Sequence, residues 1–201
     1  MNNTLIGLVI GVIAGAGIAM VASQSSGSKN TEEQLIKEFY EVETAVHVSP
    51  HGVRKHIADG EYIIVDLRSQ EEYEAGHIIG AVSVPAYATP DTSDYGAVDR
   101  IVGAFAELDA QAKLEGKDIV VYCYSAACMT GRKIGHMLAE HDIYVKHLGI
   151  GWQEWRYYWD LWNHSGETPV DPADYVWSGS EPGVFVDDVI SPCDIGGEFG
   201  C

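Results

Sequence analysis

Ile119-Val120-Val121-Tyr122-Cys123-Tyr124-Ser125-Ala126-Ala127-Cys128-Met129 is the stretch that decides the fold. Its first four residues are apolar and mostly β-branched, so they read as a strand buried on both faces. Small residues follow, and helical patterning begins near Thr130. Ligands in open α/β sheets bind beyond the carboxyl ends of strands, and Cys123 stands at such an end. A loop of small residues there can curl its backbone N–H groups inward. With the helix N-terminus, these groups make a site for an anion. The same field favours a thiolate, so a Cys123 pKa below that of a free thiol is expected. Such a thiolate is a nucleophile suited to sulfur or phosphorus centres. The plainer account is a buried structural cysteine. Placement at a strand-to-helix loop favours the reactive one.

Working outward, Tyr62 to Asp66 reads as a second buried strand, and short strands are expected at Val46–Val48, Ala81–Val84 and Tyr144–Leu148. Helices alternate with them. Thr31-Glu32-Glu33-Gln34 is a capping box opening a short helix to about Tyr40. Ser49-Pro50 caps a helix running to about Ala58. Ser69 to Ala75 is one helical turn or two, and Val98 to Leu114 and Thr130 to His141 are helices. Tyr87 to Tyr95 is polar and contains Pro90, hence a loop. The alternation predicts an α/β fold, a mostly parallel sheet with helices on both faces. Trp152, Trp155, Trp159 and Trp162 recur at helical spacing and share one face of a helix over Gly151–Asn163. That face either packs on the sheet or offers a partner a sticky surface.

Asp66-Leu67-Arg68, Glu71-Glu72-Tyr73, Gly76-His77-Ile78 and Gly80-Ala81, closing at Pro85, resemble the signature of the rhodanese family. Val120-Val121-Tyr122-Cys123 resembles its active-site strand, and Gly149, Gly151 and Trp155 its closing motif. The resemblance covers about Val46 to Val170. It implies a rhodanese-like fold and a sulfurtransferase, with Cys123 as the persulfide-forming residue and Tyr124, Ser125, Ala126, Ala127, Cys128 and Met129 as the substrate cradle. The implied partners are a small sulfur donor (thiosulfate, a persulfide or a polysulfide) and a thiol or cyanide as acceptor. Asp66, Arg68 and Glu72 are expected in ion pairs and caps, and His77 as a packed histidine.

Two departures matter. Many family members carry a basic residue in the loop, often where Cys128 stands, whereas Tyr124 to Met129 has no charge. Strong thiosulfate activity is therefore not expected, and persulfides or polysulfides remain as donors. Cys128 itself is placed for a disulfide or for attack on a Cys123 persulfide, which makes it a candidate resolving thiol. Three classes of function compete: a sulfurtransferase, a thiol–disulfide or persulfide switch using Cys123 and Cys128, and a non-catalytic binding module. Phosphatases of related fold need an arginine where Met129 stands, which disfavours that chemistry.

Composition sets the remaining bounds. The 201 residues carry 12 basic and 30 acidic side chains, a net charge of −18, which disfavours nucleic acid as a partner. Neither histidines nor cysteines fall at ligand spacing, so no metal and no cofactor are expected. Leu5 to Ala22 is apolar and uncharged, long enough to span a bilayer, with Gly7, Gly11 and Gly15 on one face. The expected organisation is a transmembrane helix and Ser/Gly tether over residues 1–30, a rhodanese-like domain over 31–165 and a Gly/Pro-rich tail over 166–201. The domain is expected to be membrane-anchored and extracytoplasmic, a placement that suits a Cys193–Cys201 disulfide in the tail.

Overall fold

The computed structural model describes residues 30–163, 167 and 169–186. The membrane segment over residues 5–22 and both tail cysteines lie outside the described residues. Among the described residues, no helix is long and apolar enough to cross a membrane. The chain divides into two units, Met1–Glu41 and Val42–Cys201.

In the first unit the capping box forms: the Gln34 N–H donates to Thr31 Oγ1 at 3.3 Å, and the Thr31 N–H to Gln34 Oε1 at 2.8 Å. The helix it opens, α1, runs Glu32–Val46 rather than stopping near Tyr40. No glycine or proline interrupts it before Ser49, and the Lys37–Glu41 pair at 3.4 Å spans the expected end.

The second unit holds β1 (His47–Val48), α2 (Pro50–Lys55), β2 (Tyr62–Asp66), α3 (Gln70–Ala75), β3 (His77–Ile78) and β4 (Val82–Ser83). There follow β5 (Tyr87–Thr89), β6 (Thr92–Ser93), α4 (Val98–Glu115), β7 (Asp118–Tyr122), α5 (Thr130–Ala139), β8 (Lys146–Leu148), α6 (Trp152–Tyr157) and β9 (Val176–Trp177). Five strands form one parallel sheet in the order β1-β8-β7-β2-β4. The expected α/β class and mostly parallel sheet are therefore present.

Alternation along the two central strands splits the core. Ile63, Val65, Ile119, Val121 and Cys123 join Ile101 and Phe105 of α4 and Ile134 and Leu138 of α5. Ile64, Val120 and Tyr122 face the other way, with Val53 of α2, Trp155 and Trp159. Both faces of the central strands are thus covered, which is why they read as unbroken apolar runs.

Three local expectations are corrected. α2 ends at Lys55, three residues early, because the Asp59 carboxylate captures the Glu61 N–H and the His56 ring and turns the chain at Gly60. The segment expected to be a loop from Tyr87 to Tyr95 contains the β5–β6 hairpin, turning at Pro90-Asp91. The tryptophan segment is not one helix. Tyr158 leaves helical geometry (φ −130°, ψ 48°), and a 3₁₀ turn, Trp159–Leu161, follows. The break lets Trp155 stack on Trp162, 5.6 Å between centroids, while Trp159 lies 5.4 Å from Tyr175. Trp155 and Trp159 are buried in the second core cluster. Part of the tail drapes over the body: β9 pairs antiparallel with β3, and the Gly80 N–H donates to the Pro182 carbonyl.

Candidate active site

Cys123 follows β7 directly, at the carboxyl end of a central strand, and is 2% exposed. The loop after it is clamped from two elements. From α6, the N–H groups of Trp152 and Gln153 donate to the carbonyls of Cys123 (2.8 Å) and Tyr124 (2.9 Å). From α5, Arg132 donates to the carbonyls of Ala126 (3.3 Å) and Cys128 (3.1 Å). Gly151 is required by close approach, since a Cβ there would lie 2.2 Å from the Ser125 nitrogen. Within the loop, the Cys128 N–H donates to the Ser125 carbonyl at 2.9 Å and turns Cys128 back toward Cys123. Cys128 packs against the core cluster that holds Cys123, and both thiols are free.

The loop's field acts on the pair differently from expectation. Burial pushes the Cys123 thiol up, and the neighbouring Cys128 sulfur adds to that; the Thr130 hydroxyl and the Tyr124 N–H oppose without prevailing. Cys128 is half-buried. Burial raises it too, but hydrogen bonds from the Thr130 hydroxyl and N–H, the Cys123 thiol and the Tyr124 N–H hold it below the ordinary thiol range. The expected lowering is thus not found at Cys123; of the two sulfurs it is Cys128 whose thiolate the loop favours. An outermost strand residue inherits the core's desolvation, whereas one turned back at the loop's rim keeps the donors without it.

The cradle is likewise only partly free. The Ala126 N–H donates to Glu154 Oε1 at 3.3 Å, and Glu154 Oε2 accepts from the Gly151 N–H at 3.0 Å. A carboxylate therefore backs the loop, and the Arg132 guanidinium is held on loop carbonyls.

Residues invisible to sequence reasoning complete the surroundings. Thr130 Oγ1 lies 3.3 Å from the Cys128 sulfur and 2.9 Å from each of the Tyr87 and Tyr95 hydroxyls, which are 3.1 Å apart. The Tyr124 hydroxyl donates to Glu72 at 2.6 Å, and its ring meets Tyr87 edge-on at 5.3 Å. A cleft of about 440 Å³ opens beside the loop, lined by Arg68, Glu72, Tyr124, Trp152, Gln153 and Tyr158 among others. The tyrosines were hidden because 35 and 43 residues separate them from Thr130. A usable signal was their hydroxyl-bearing type in a segment otherwise assigned as loop.

The second cluster of motif residues is structural, as expected. Asp66 binds Arg68 through both oxygens and accepts from the Tyr122 hydroxyl at 2.6 Å. Arg68 also donates to the Gly76 carbonyl at 2.6 Å and lies 4.4 Å over the Trp152 ring. Glu72 closes a capping box with Ser69. His77 stacks on Tyr73 at 3.7 Å, with Nδ1 2.7 Å from the Tyr73 carbonyl oxygen. These contacts join β2, α3 and β3 into a rigid wall beside the loop. At the opposite, amino end of β2, His56, Asp59 and Glu61 bring three ligand-type atoms within 4.8 Å of one another, among the described residues. They form the exposed turn after α2.

The site is thus a cysteine at the floor of a clamped loop, beyond the carboxyl end of a central strand in a parallel α/β sheet. The chain belongs to the rhodanese-like domain family, whose model matches residues 49–157, more than half of its length. Membership at this level implies a sulfurtransferase-like or sulfur-binding module. The HTH-type transcriptional regulator Rv0324 of Mycobacterium tuberculosis is 36% identical over 99 residues, 48% of this chain and 35% of that protein. The chain thus spans about a third of that relative's length. Among solved structures, the BH2092 protein of Bacillus halodurans is similar at 20% identity and a TM-score of 0.45, covering 74% of this chain and 88% of that one. A full-length protein from Lactobacillus plantarum is similar at 19% identity and a TM-score of 0.46, over 62% and 92%.

Proposed function

We propose that this domain is a sulfurtransferase that carries a sulfane sulfur as a persulfide on Cys123. The observation that carries the reading is the position of Cys123 at the floor of a loop pinned by α5 and α6, with Cys128 packed against the same core cluster. As Cys123 attacks the outer sulfur of a donor, its proton passes to the Cys128 thiolate and the donor's remainder leaves. Tyr124 to Met129 form the cradle around the bound sulfur. A thiol or cyanide then removes it.

The charges favour a singly charged donor. No cation lies in the loop itself, and the Glu154 carboxylate sits against Ala126. A dianion such as thiosulfate meets that charge while the Arg132 guanidinium is occupied on the loop carbonyls. Persulfides and polysulfides are therefore the expected donors. In a Cys128→Ser variant, which cannot resolve the persulfide, the intact mass after incubation with a polysulfide should rise by one sulfur atom, with a smaller yield from thiosulfate. Cys123→Ser should abolish the gain, and a sulfur adduct persisting in that variant would overturn the reading.

A further inference from the structure

We infer that Cys128 attacks the Cys123 persulfide and expels its outer sulfur as hydrosulfide, leaving a Cys123–Cys128 disulfide. The step rests on the persulfide reading of Cys123 and extends it from sulfur transfer to sulfane-sulfur reduction. Three features of the site support it. The Cys128 N–H on the Ser125 carbonyl folds the loop so that Cys128 packs against the core cluster that includes Cys123. A second nucleophile therefore stands in the same loop and against the same cluster as Cys123, whose Sγ is the atom to which a sulfane sulfur would be bonded. Cys128 is also the more accessible of the two, half-buried where Cys123 is buried. Finally, Cys128 has a support that a structural thiol does not need: the Thr130 hydroxyl at 3.3 Å, itself held by the Tyr87 and Tyr95 hydroxyls at 2.9 Å. The two tyrosine hydroxyls, from the segment around the β5–β6 hairpin, hold the Thr130 hydroxyl beside that sulfur.

The balance closes without an outside oxidant. Cys123–S–S⁻ and Cys128–SH become the Cys123–Cys128 disulfide and HS⁻. One bond forms between the two Sγ atoms. The bond from Cys123 Sγ to the outer sulfur breaks, and its electron pair leaves with that sulfur. The proton that Cys128 took up during loading departs on the hydrosulfide. The sulfane sulfur is reduced by two electrons and the cysteine pair is oxidised by two. A dithiol then reduces the disulfide by ordinary exchange. Attack on the outer sulfur would instead move it to Cys128 and expel the Cys123 thiolate. That thiolate is the poorer leaving group, because burial disfavours its charge and hydrosulfide is the weaker base.

The test uses the full chain, reduced, freed of small thiols and mixed with glutathione persulfide, whose sulfur transfer leaves only glutathione. The wild type should release one hydrosulfide per chain and yield a peptide spanning Cys123 and Cys128 that is two hydrogens lighter. Cys128→Ser should load more slowly, keep the added sulfur on Cys123 and lose the hydrosulfide burst. A wild type that retains the sulfur on Cys123 without a disulfide overturns this step and leaves the persulfide reading intact. Sulfur found on Cys128, or a disulfide formed without hydrosulfide, also overturns it. Absence of both adduct and disulfide in either protein overturns both.

Discussion

His147 shows how a single side chain couples this fold to pH. It is 5% exposed, lies edge-on to His47 at 5.5 Å, and is held down to about 4 from an ordinary 6.5 by burial, the Arg132 charge and His47. The folded state therefore binds fewer protons than the unfolded chain between about pH 4 and 6.5. Stability contributed by the neutral ring is fully present above pH 6.5 and is lost as pH falls toward 4, up to about 3 kcal/mol. Urea unfolding from pH 7 to 4 should show that loss, and His147→Gln should flatten it; equal slopes in the two proteins would contradict the assignment. At this scale the sequence is a partial guide. Cys123 is legible because an apolar strand ending in a small-residue loop is a local pattern. The distribution of charge within the cysteine pair is not, because it depends on how deep each sulfur sits. Nor is the hydroxyl cluster of Thr130, Tyr87 and Tyr95, which exists only once β5 lies beside α5.

Glycine placement on α5 separates two elements of packing that look alike in sequence. A Cβ on Gly131 would lie 2.2 Å from the His147 ring, whereas one on Gly135 would meet nothing closer than Val145 Cγ2 at 3.6 Å. Gly131→Ala should therefore force the ring out of place and lower stability by about 1–3 kcal/mol. Gly135→Ala should raise stability by up to about 1 kcal/mol, because alanine is the better helix former. Thermal melts of the two variants decide it, and a stabilised Gly131→Ala would refute the contact. Elements with caps or buried strand runs are readable in advance: Ser49 and Ser69 cap α2 and α3, and β2 spans Tyr62–Asp66 as its pattern dictates. The break at Tyr158 is not readable, because the tryptophan spacing satisfies a continuous helix equally well. It arises from the demand of Tyr175 and Trp162 for stacking partners, which lies outside the segment.

At the scale of the molecule, the sequence supplied the layering, since unbroken apolar runs in β2 and β7 require cover on both faces. The membrane segment is a separate matter, carried by the charge-free run from Leu5 to Ala22. We expect the full chain to sediment with membranes and resist high salt, and a chain begun at Asn30 to stay in the supernatant. A mature protein starting near Ser23 would identify a cleaved leader instead. The body itself has a different requirement. Its second core cluster closes only when Tyr175 arrives, and β3 gains its partner only at Val176–Trp177, about a hundred residues further along the chain. During synthesis, therefore, a nascent chain that has emerged through residue 157 carries the whole matched family segment and still shows Trp155 to solvent. Folding on the ribosome is therefore expected to reach completion only once the stretch to about residue 185 has cleared the exit tunnel.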